Sequence, residues 1–309
     1  MAALCKRLKP VGRVLELEGW YVWCTSAIDG PDGRVHLFSS RWPAATKLGG
    51  WLTHCEIVHA VGARAEGPFE VRGVALRNRD KGHWDSTSVH NPTIHRIGGV
   101  YHLVHIGNST GEPGSQRIGL ARATSLDGPW ERLEQPILGP APGNGWDSWY
   151  VTNPALLAHP NGEFWLYYKA RDPKDKDMFR IGLAVAKRPE GPYRRHPKNP
   201  IIDFASVRKR FEDPYVWYEN NRFYMVAADD YPRGGILRTH AGLLFESADG
   251  VDWSKPKLAY DTNDSYLKEP RGRLERPQVL VRNGKAAYLY LAAGGGRYGT
   301  ATGMCLRVE

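Results

Sequence analysis

One short motif returns along the chain at a nearly constant interval, and nothing else in the sequence limits the fold as strongly. His90-Asn91-Pro92, Thr152-Asn153-Pro154, Glu212-Asp213-Pro214 and Glu275-Arg276-Pro277 set their prolines 62, 60 and 63 residues apart. Each leads into a strand signal, a turn and a second strand signal; after Pro214 the turn is Asn220-Asn221. Two further landmarks keep the same beat. Ile118-Gly119-Leu120-Ala121 matches Ile181-Gly182-Leu183-Ala184 and Ala241-Gly242-Leu243-Leu244. Glu66-Gly67-Pro68-Phe69 matches Asp127-Gly128-Pro129-Trp130, Glu190-Gly191-Pro192-Tyr193 and, more loosely, Asp249-Gly250. Three landmarks in one fixed order mark an internal structural repeat.

At this interval 309 residues hold five repeats, which predicts a single domain over 1–309. The 34 glycines and 22 prolines supply turns between short strands, and no capped amphipathic stretch predicts a long helix. Repeat one shows strand signals at 23–28, 35–38 and 56–60. Repeat five runs out one strand short, with signals at 277–281, 286–292 and 304–308. Residues 13–18 alternate apolar and charged, as a half-buried strand does. They would complete repeat five and hide its edge. The expectation is an all-β fold: a five-bladed β-propeller of four-stranded antiparallel blades, closed by an N-terminal strand.

Composition narrows the function classes. A hydrophobic content of 41% excludes a disordered chain. No apolar run reaches 18 residues, so no membrane-spanning helix is expected. The first dozen residues lack the apolar core of a signal peptide. A cytoplasmic location is expected, or a secreted one whose leader lies outside this sequence. Cys5, Cys24, Cys55 and Cys305 show no paired metal spacing and read as free thiols. The net charge of +9 favours anionic partners, although scattered surface lysine and arginine explain it equally. Nothing calls for nucleic acid or membrane, and nothing sets an oligomeric state.

In a four-stranded blade, the head of the innermost strand and the loop between strands two and three share one face. That face collects the Pro motifs and the loops 41–54, 108–116, 169–179, 229–238 and 294–300. Binding residues concentrate on such loops. Glu212, Asp213 and Glu275 head inner strands and are the first candidates for acid–base chemistry. Asp85 and Asp147, in twin Trp-Asp-Ser motifs, are further candidate acids, with Asx-turns as the blander alternative. His90, Asn91, Asn153 and Arg276 are expected to line the axis and bind substrate. From the loops, His54, Lys169, Arg171 and Asp230 are expected to reach it. Trp42, Trp84 and Trp146 are expected to offer flat faces for sugar stacking.

Three other patterns are set aside. Gly294-Gly295-Gly296-Arg297-Tyr298-Gly299 matches a dinucleotide fingerprint, but too little chain follows it for the required helix and strand. Asp172, Asp175 and Asp177 alternate with lysines and read as a solvated run. His102 and His105 face opposite sides of a strand and make a poor metal pair.

The inner-strand motifs, together with Gly119–Ala121 and Asp127–Trp130, resemble the furanosidase superfamily, which includes glycoside hydrolase families 43, 32, 62, 117 and 130. The resemblance covers residues 13–308. It implies a glycosidase with a carboxylate pair in a shallow axial pocket, exo-acting on an oligo- or polysaccharide. It implies no required cofactor, with a calcium ion in the central channel as an option. This sequence departs from the pattern in blade one. Families 43 and 32 place a key aspartate there, and this chain has Cys24-Thr25-Ser26. Blades two and three carry Asn91 and Asn153. A phosphorylase and a non-catalytic carbohydrate-binding propeller stay open beside the hydrolase. Arg208, Lys209, Arg210, Arg271 and Arg273 raise the further expectation of an acidic or phosphate-bearing substrate. The alternative is that these cations neutralise the site carboxylates.

Overall fold

The computed structural model describes residues 4–229, 235–269 and 271–309. Within them the chain forms five blades. Their innermost strands are Trp20–Asp29, Ser88–Ile97, Tyr150–Ala158, Glu212–Glu219 and Arg271–Arg282. Blade one continues through Val35–Pro43, Glu56–Gly62 and Glu70–Leu76, each antiparallel to the last. Blades two, three and four repeat the plan with an outer strand of only two residues: Glu131–Arg132, Arg194–Arg195 and Lys257–Leu258. Five apolar clusters fill the five seams between blades; Trp217 and Leu244 meet Leu289 and Met304 between blades four and five. Among the described residues no helix is long and apolar enough to cross a membrane.

The fifth blade is completed from the other end of the chain. Leu8–Leu15 pairs antiparallel with Thr300–Val308, from Leu8 opposite Val308 to Leu15 opposite Gly303. Closure is therefore as expected, but the strand lies earlier than residues 13–18. Register shifts between Pro10 and Gly12 and between Arg13 and Leu15 interrupt it. Bulges break the period of two, so the clean alternation at 13–18 overshoots the true end. A parallel bridge between Tyr21 and Ala301 then joins blade five to blade one.

Each repeated landmark has a separate physical job. In every innermost strand one residue, the middle one of the motif where proline follows, sits in the left-handed region: Cys24, Asn91, Asn153, Asp213 and Arg276, with φ between 47° and 62°. The ladder register breaks at each of these positions. Asn and Asp tolerate this conformation better than most residues. In four blades proline follows, and having no N–H it leaves no unpaired donor at the break.

The second landmark is a glycine beneath an aromatic lid. A Cβ on Gly119 would run into Trp84, and one on Gly182 would lie 2.7 Å from Trp146. In blade four Tyr260 covers Gly242 in the same way.

In blades one, two and three the third landmark ties the blade to its predecessor. The Tyr288 hydroxyl donates to Glu66 at 2.7 Å, His59 lies 3.5 Å from Asp127, and His102 lies 3.6 Å from Glu190.

Two outcomes follow from these seams. Deleting residues 1–15 would strip Leu8, Val14 and Leu15, exposed by only 7%, 5% and 1%, from the fifth blade. At roughly 1.5–3 kcal/mol per buried side chain, thermal unfolding should shift down by many degrees. An unchanged melting temperature would overturn closure by this strand.

The second concerns His59 and His105, which are buried at 4% and 0% exposure. Burial holds both well below the ordinary histidine value, at about 4, helped by His36 beside His59 and Arg132 beside His105. The unfolded chain takes up these protons below about pH 6.5 and the native chain does not until about 4. Stability should therefore fall as pH drops through this window, by about 1.4 kcal/mol per unit per histidine. Denaturant titrations at pH 7, 6, 5 and 4.5 read it; a flat profile contradicts it.

Candidate active site

The left-handed residues turn their side chains onto the axis and bond to one another. Arg276 Nη1 donates to Asp213 Oδ1 at 2.8 Å, and the Arg276 backbone N–H donates to Asp213 Oδ2 at 3.0 Å. Asn153 Nδ2 also donates to Asp213 Oδ1, and Asn91 Nδ2 donates to Asn153 Oδ1 at 3.4 Å. Arg276 Nη2 reaches Cys24 Sγ at 3.5 Å, and that thiol donates to the Pro92 carbonyl at 3.5 Å. The ring takes one residue from every blade and closes the base of the axial channel.

Above the ring lies a cavity of about 700 Å³. The residue preceding each ring member forms its wall: Trp23, His90, Thr152, Glu212 and Glu275. The wall is therefore apolar at blade one, neutral and polar at blades two and three, and acidic at blades four and five. Tyr21 and Trp42 stack at 5.3 Å and 7°, with Trp23 tilted 6.3 Å from Trp42. Leu48 and Trp51 extend this apolar side. On the acidic side, carboxylate oxygens of Glu212, Asp213 and Glu275 lie within 4.8 Å of one another.

Each of these carboxylates faces a cation. Lys169 pairs with Glu212, Arg273 with Glu275, and Arg276 with Asp213. Burial alone would push Glu212 up, but Lys169 first, then Arg273 and Arg276, hold it well below the usual carboxylate range. Burial pushes Asp213 up, and the Glu212 carboxylate adds to this against the pull of Arg276. His90 is buried, and desolvation with Arg276, His105 and Lys169 nearby lowers it to about 3, so its ring is neutral.

Of the residues expected at the site, Glu212, Asp213, Glu275, His90, Asn91, Asn153, Trp42, Lys169 and Arg276 line the cavity. The remaining expectations are corrected. Asp85 is fully buried and held by Arg79 at 2.6 Å and Arg132 at 2.9 Å. Asp147 accepts from Arg195 at 2.6 Å and from the Tyr168 hydroxyl at 2.9 Å. Both carboxylates anchor the arginine of their own blade's outer strand. Trp84 and Trp146, beside them, are the lids over Gly119 and Gly182 and offer no face to the cavity.

His54 is exposed and bonds Thr53 at 2.7 Å, away from the cavity. Arg171 lies over the Phe179 ring at 4.0 Å, off the cavity wall. Asp230 falls outside the described residues. Arg208 pairs with Asp175 at 3.1 Å, and Arg210 donates to the Asp177 carbonyl at 3.0 Å. That cluster fastens a blade-three loop, and the arginines that reach the cavity neutralise carboxylates.

Sequence reasoning passed over Tyr21, Trp23, Gln116, Tyr150 and His240 as wall residues, while Arg273, expected among the cations near the site, does line the cavity. Trp23 could have been found by counting, because it precedes Cys24 as His90 precedes Asn91. Gln116 and His240 come from loops, and Tyr21 and Tyr150 from the first residues of innermost strands, where no repeat signature marks them.

The comparisons agree with this architecture. A family 117 glycoside hydrolase from Zobellia galactanivorans superposes with a TM-score of 0.74 at 18% identity, covering 97% of this chain and 90% of that one. A family 43 β-xylosidase/α-arabinofuranosidase from a compost microbial metagenome gives 0.65 at 16%, over 97% and 93%. At these identities the likeness is one of fold. In sequence, the xylosidase/arabinosidase 43A of Humicola insolens is 31% identical over 136 residues, which is 43% of this chain and 37% of that protein. The match thus spans well under half of that relative's length. The family described as "Glycosyl hydrolases family 32 N-terminal domain" matches residues 93–288, more than half of the sequence, and the chain belongs to it.

Proposed function

We propose that this chain is an exo-acting glycoside hydrolase, with Glu212 and Glu275 as the reacting carboxylates. One observation carries the reading: two carboxylates from adjacent blades face one cavity, with oxygens within 4.8 Å, above an axis closed by side chains. A pocket with a closed base admits a chain end better than a chain middle. Glycosidic cleavage needs one carboxyl group to donate a proton and one carboxylate to attack or to activate water.

The environments divide these roles. Lys169 is buried at 9% side-chain exposure and keeps Glu212 ionised, as the attacking group must be. Glu275 is the donor. Its partner Arg273 is 40% exposed and can swing out when sugar enters. Glu275 would then stand buried beside two carboxylates, which favours its protonated form. Asp213 belongs to the ring, since its oxygens already accept three donors. The reading calls for no calcium ion: the three carboxylates near the axis each face a cation, and a hard dication suits uncompensated oxygens.

The relatives' names point to pentosides as first substrates, α-L-arabinofuranosides and β-D-xylosides. Glu212→Gln and Glu275→Gln should keep the wild-type melting temperature and lose kcat by about a hundredfold or more. Asp213→Asn should instead destabilise the fold, since breaking a buried pair costs about 3–5 kcal/mol. Full activity in both glutamine variants would remove the pair from the chemistry.

The closeness of the pair also favours one stereochemistry. Its nearest oxygens lie within 4.8 Å, closer than the roughly 6.5–9.5 Å between carboxyl groups that leaves room for a water in inverting enzymes. Proton NMR of the first-formed sugar should show retention, and an inverted anomer would overturn this assignment.

A further inference from the structure

Two side chains on the cavity wall are buried and hold a polar atom without a partner. His90 is 2% exposed and Thr152 is 5% exposed. Nδ1 of His90 and Oγ1 of Thr152 make no hydrogen bond among the described residues. Such orphans cost about 1–3 kcal/mol each, so a fold keeps them where a ligand supplies the bond. The two lie side by side. They precede Asn91 and Asn153, which are tied by the 3.4 Å bond across the seam of blades two and three. The His90 ring is also fixed, edge to face with Trp51 at 5.0 Å and 65°.

We propose that His90 and Thr152 read two neighbouring hydroxyl groups of the bound sugar and thereby set specificity for the glycon. The inference rests on the glycosidase reading for its location. His90 and Thr152 occupy the blades that do not carry the acids. Blade one offers Trp23, an apolar surface for the sugar's C–H face. The sugar is then specified on three sides. Its anomeric carbon meets blades four and five, its apolar face meets blade one, and its hydroxyls meet blades two and three. The neutral His90 imidazole donates from one nitrogen and accepts at the other, as a hydroxyl partner should. A pocket that hydrogen-bonds a hydroxyl rejects the deoxy analogue, because its own polar atom is left unpaired. The substrate class is thus a sugar with two adjacent free hydroxyls away from the anomeric carbon, and deoxy or substituted sugars at those carbons are excluded.

The test uses binding, with no turnover. L-Arabinose, D-xylose and their monodeoxy analogues are titrated against the intact protein, with tryptophan fluorescence as the readout. The wild type should bind one parent sugar at least tenfold tighter than two of its monodeoxy analogues. Thr152→Val should erase the preference at one hydroxyl and His90→Phe at its neighbour, each leaving affinity for the matching deoxy analogue unchanged. Thr152→Ser should restore the first preference, and His90→Leu stands in should the phenylalanine variant fail to fold. A merely structural role would weaken parent and analogue alike. The proposal is overturned if the wild type binds neither sugar, if it does not discriminate, or if the variants keep wild-type ratios. Intact discrimination without hydrolysis of any glycoside would instead defeat the hydrolase reading alone.

Discussion

The buried ion pair between Arg276 and Asp213 is the contact on which the arrangement turns. Both side chains are almost fully enclosed, at 3% and 2% exposure. Two charges taken out of water are stable only when their hydrogen-bonding capacity is filled. Here most of it is filled from other blades, and only Nε of Arg276 lacks a partner among the described residues. Asp213 accepts from Asn153 of blade three as well as from Arg276 of blade five, and Arg276 reaches on to Cys24 of blade one. One guanidinium therefore spans three blades, and the two asparagines carry the ring through the rest. The left-handed backbone at each ring position aims these side chains inward. It also fixes the residue before each one on the cavity wall. The axial ring and the five wall positions are thus one device, and the site inherits its geometry from the closure of the propeller.

This linkage explains what could be read in the sequence. The repeat was legible because its landmarks are local: a residue in a left-handed bend before proline, a glycine under an aromatic ring, and an acidic turn beside the previous blade. The same logic misleads when a repeated motif looks chemical. Trp84-Asp85-Ser86 and Trp146-Asp147-Ser148 carry an acid and an aromatic, as a sugar site would. Their partners are Gly119 with Arg132, and Gly182 with Arg195. Those partners lie tens of residues away, and only the folded blade brings them together. A motif that does the same job in two successive blades is more a fastening than a site. The proposed reacting residues stand where the repeat varies, at the position before the ring residue.

That position also accounts for the departure in blade one. Cys24 holds the ring position of blade one, and its fully buried thiol, pushed up by that burial, is poorly suited to serve as a base. Blade one contributes Trp23, Tyr21 and Trp42 in its place. A site with an apolar wall on one side concentrates its carboxylates on another. The Glu212 and Glu275 motifs follow each other in the chain, so the two acids arise on neighbouring blades and come close together.

The cations of the cavity complete the argument. Three carboxylates within 4.8 Å would repel one another strongly if all were ionised and unpaired. Lys169, Arg273 and Arg276 remove that repulsion, but with unequal permanence. Arg276 is locked in the ring, and Lys169 is enclosed between Glu212 and the Phe179 ring, 4.4 Å from its centre. Arg273 keeps 40% of its side chain in solvent, where a surface ion pair contributes little. In the proposed hydrolase, a sugar entering the cavity would displace Arg273 more readily than either of the others, and would leave Glu275 enclosed beside two carboxylates, the arrangement that favours a proton on it.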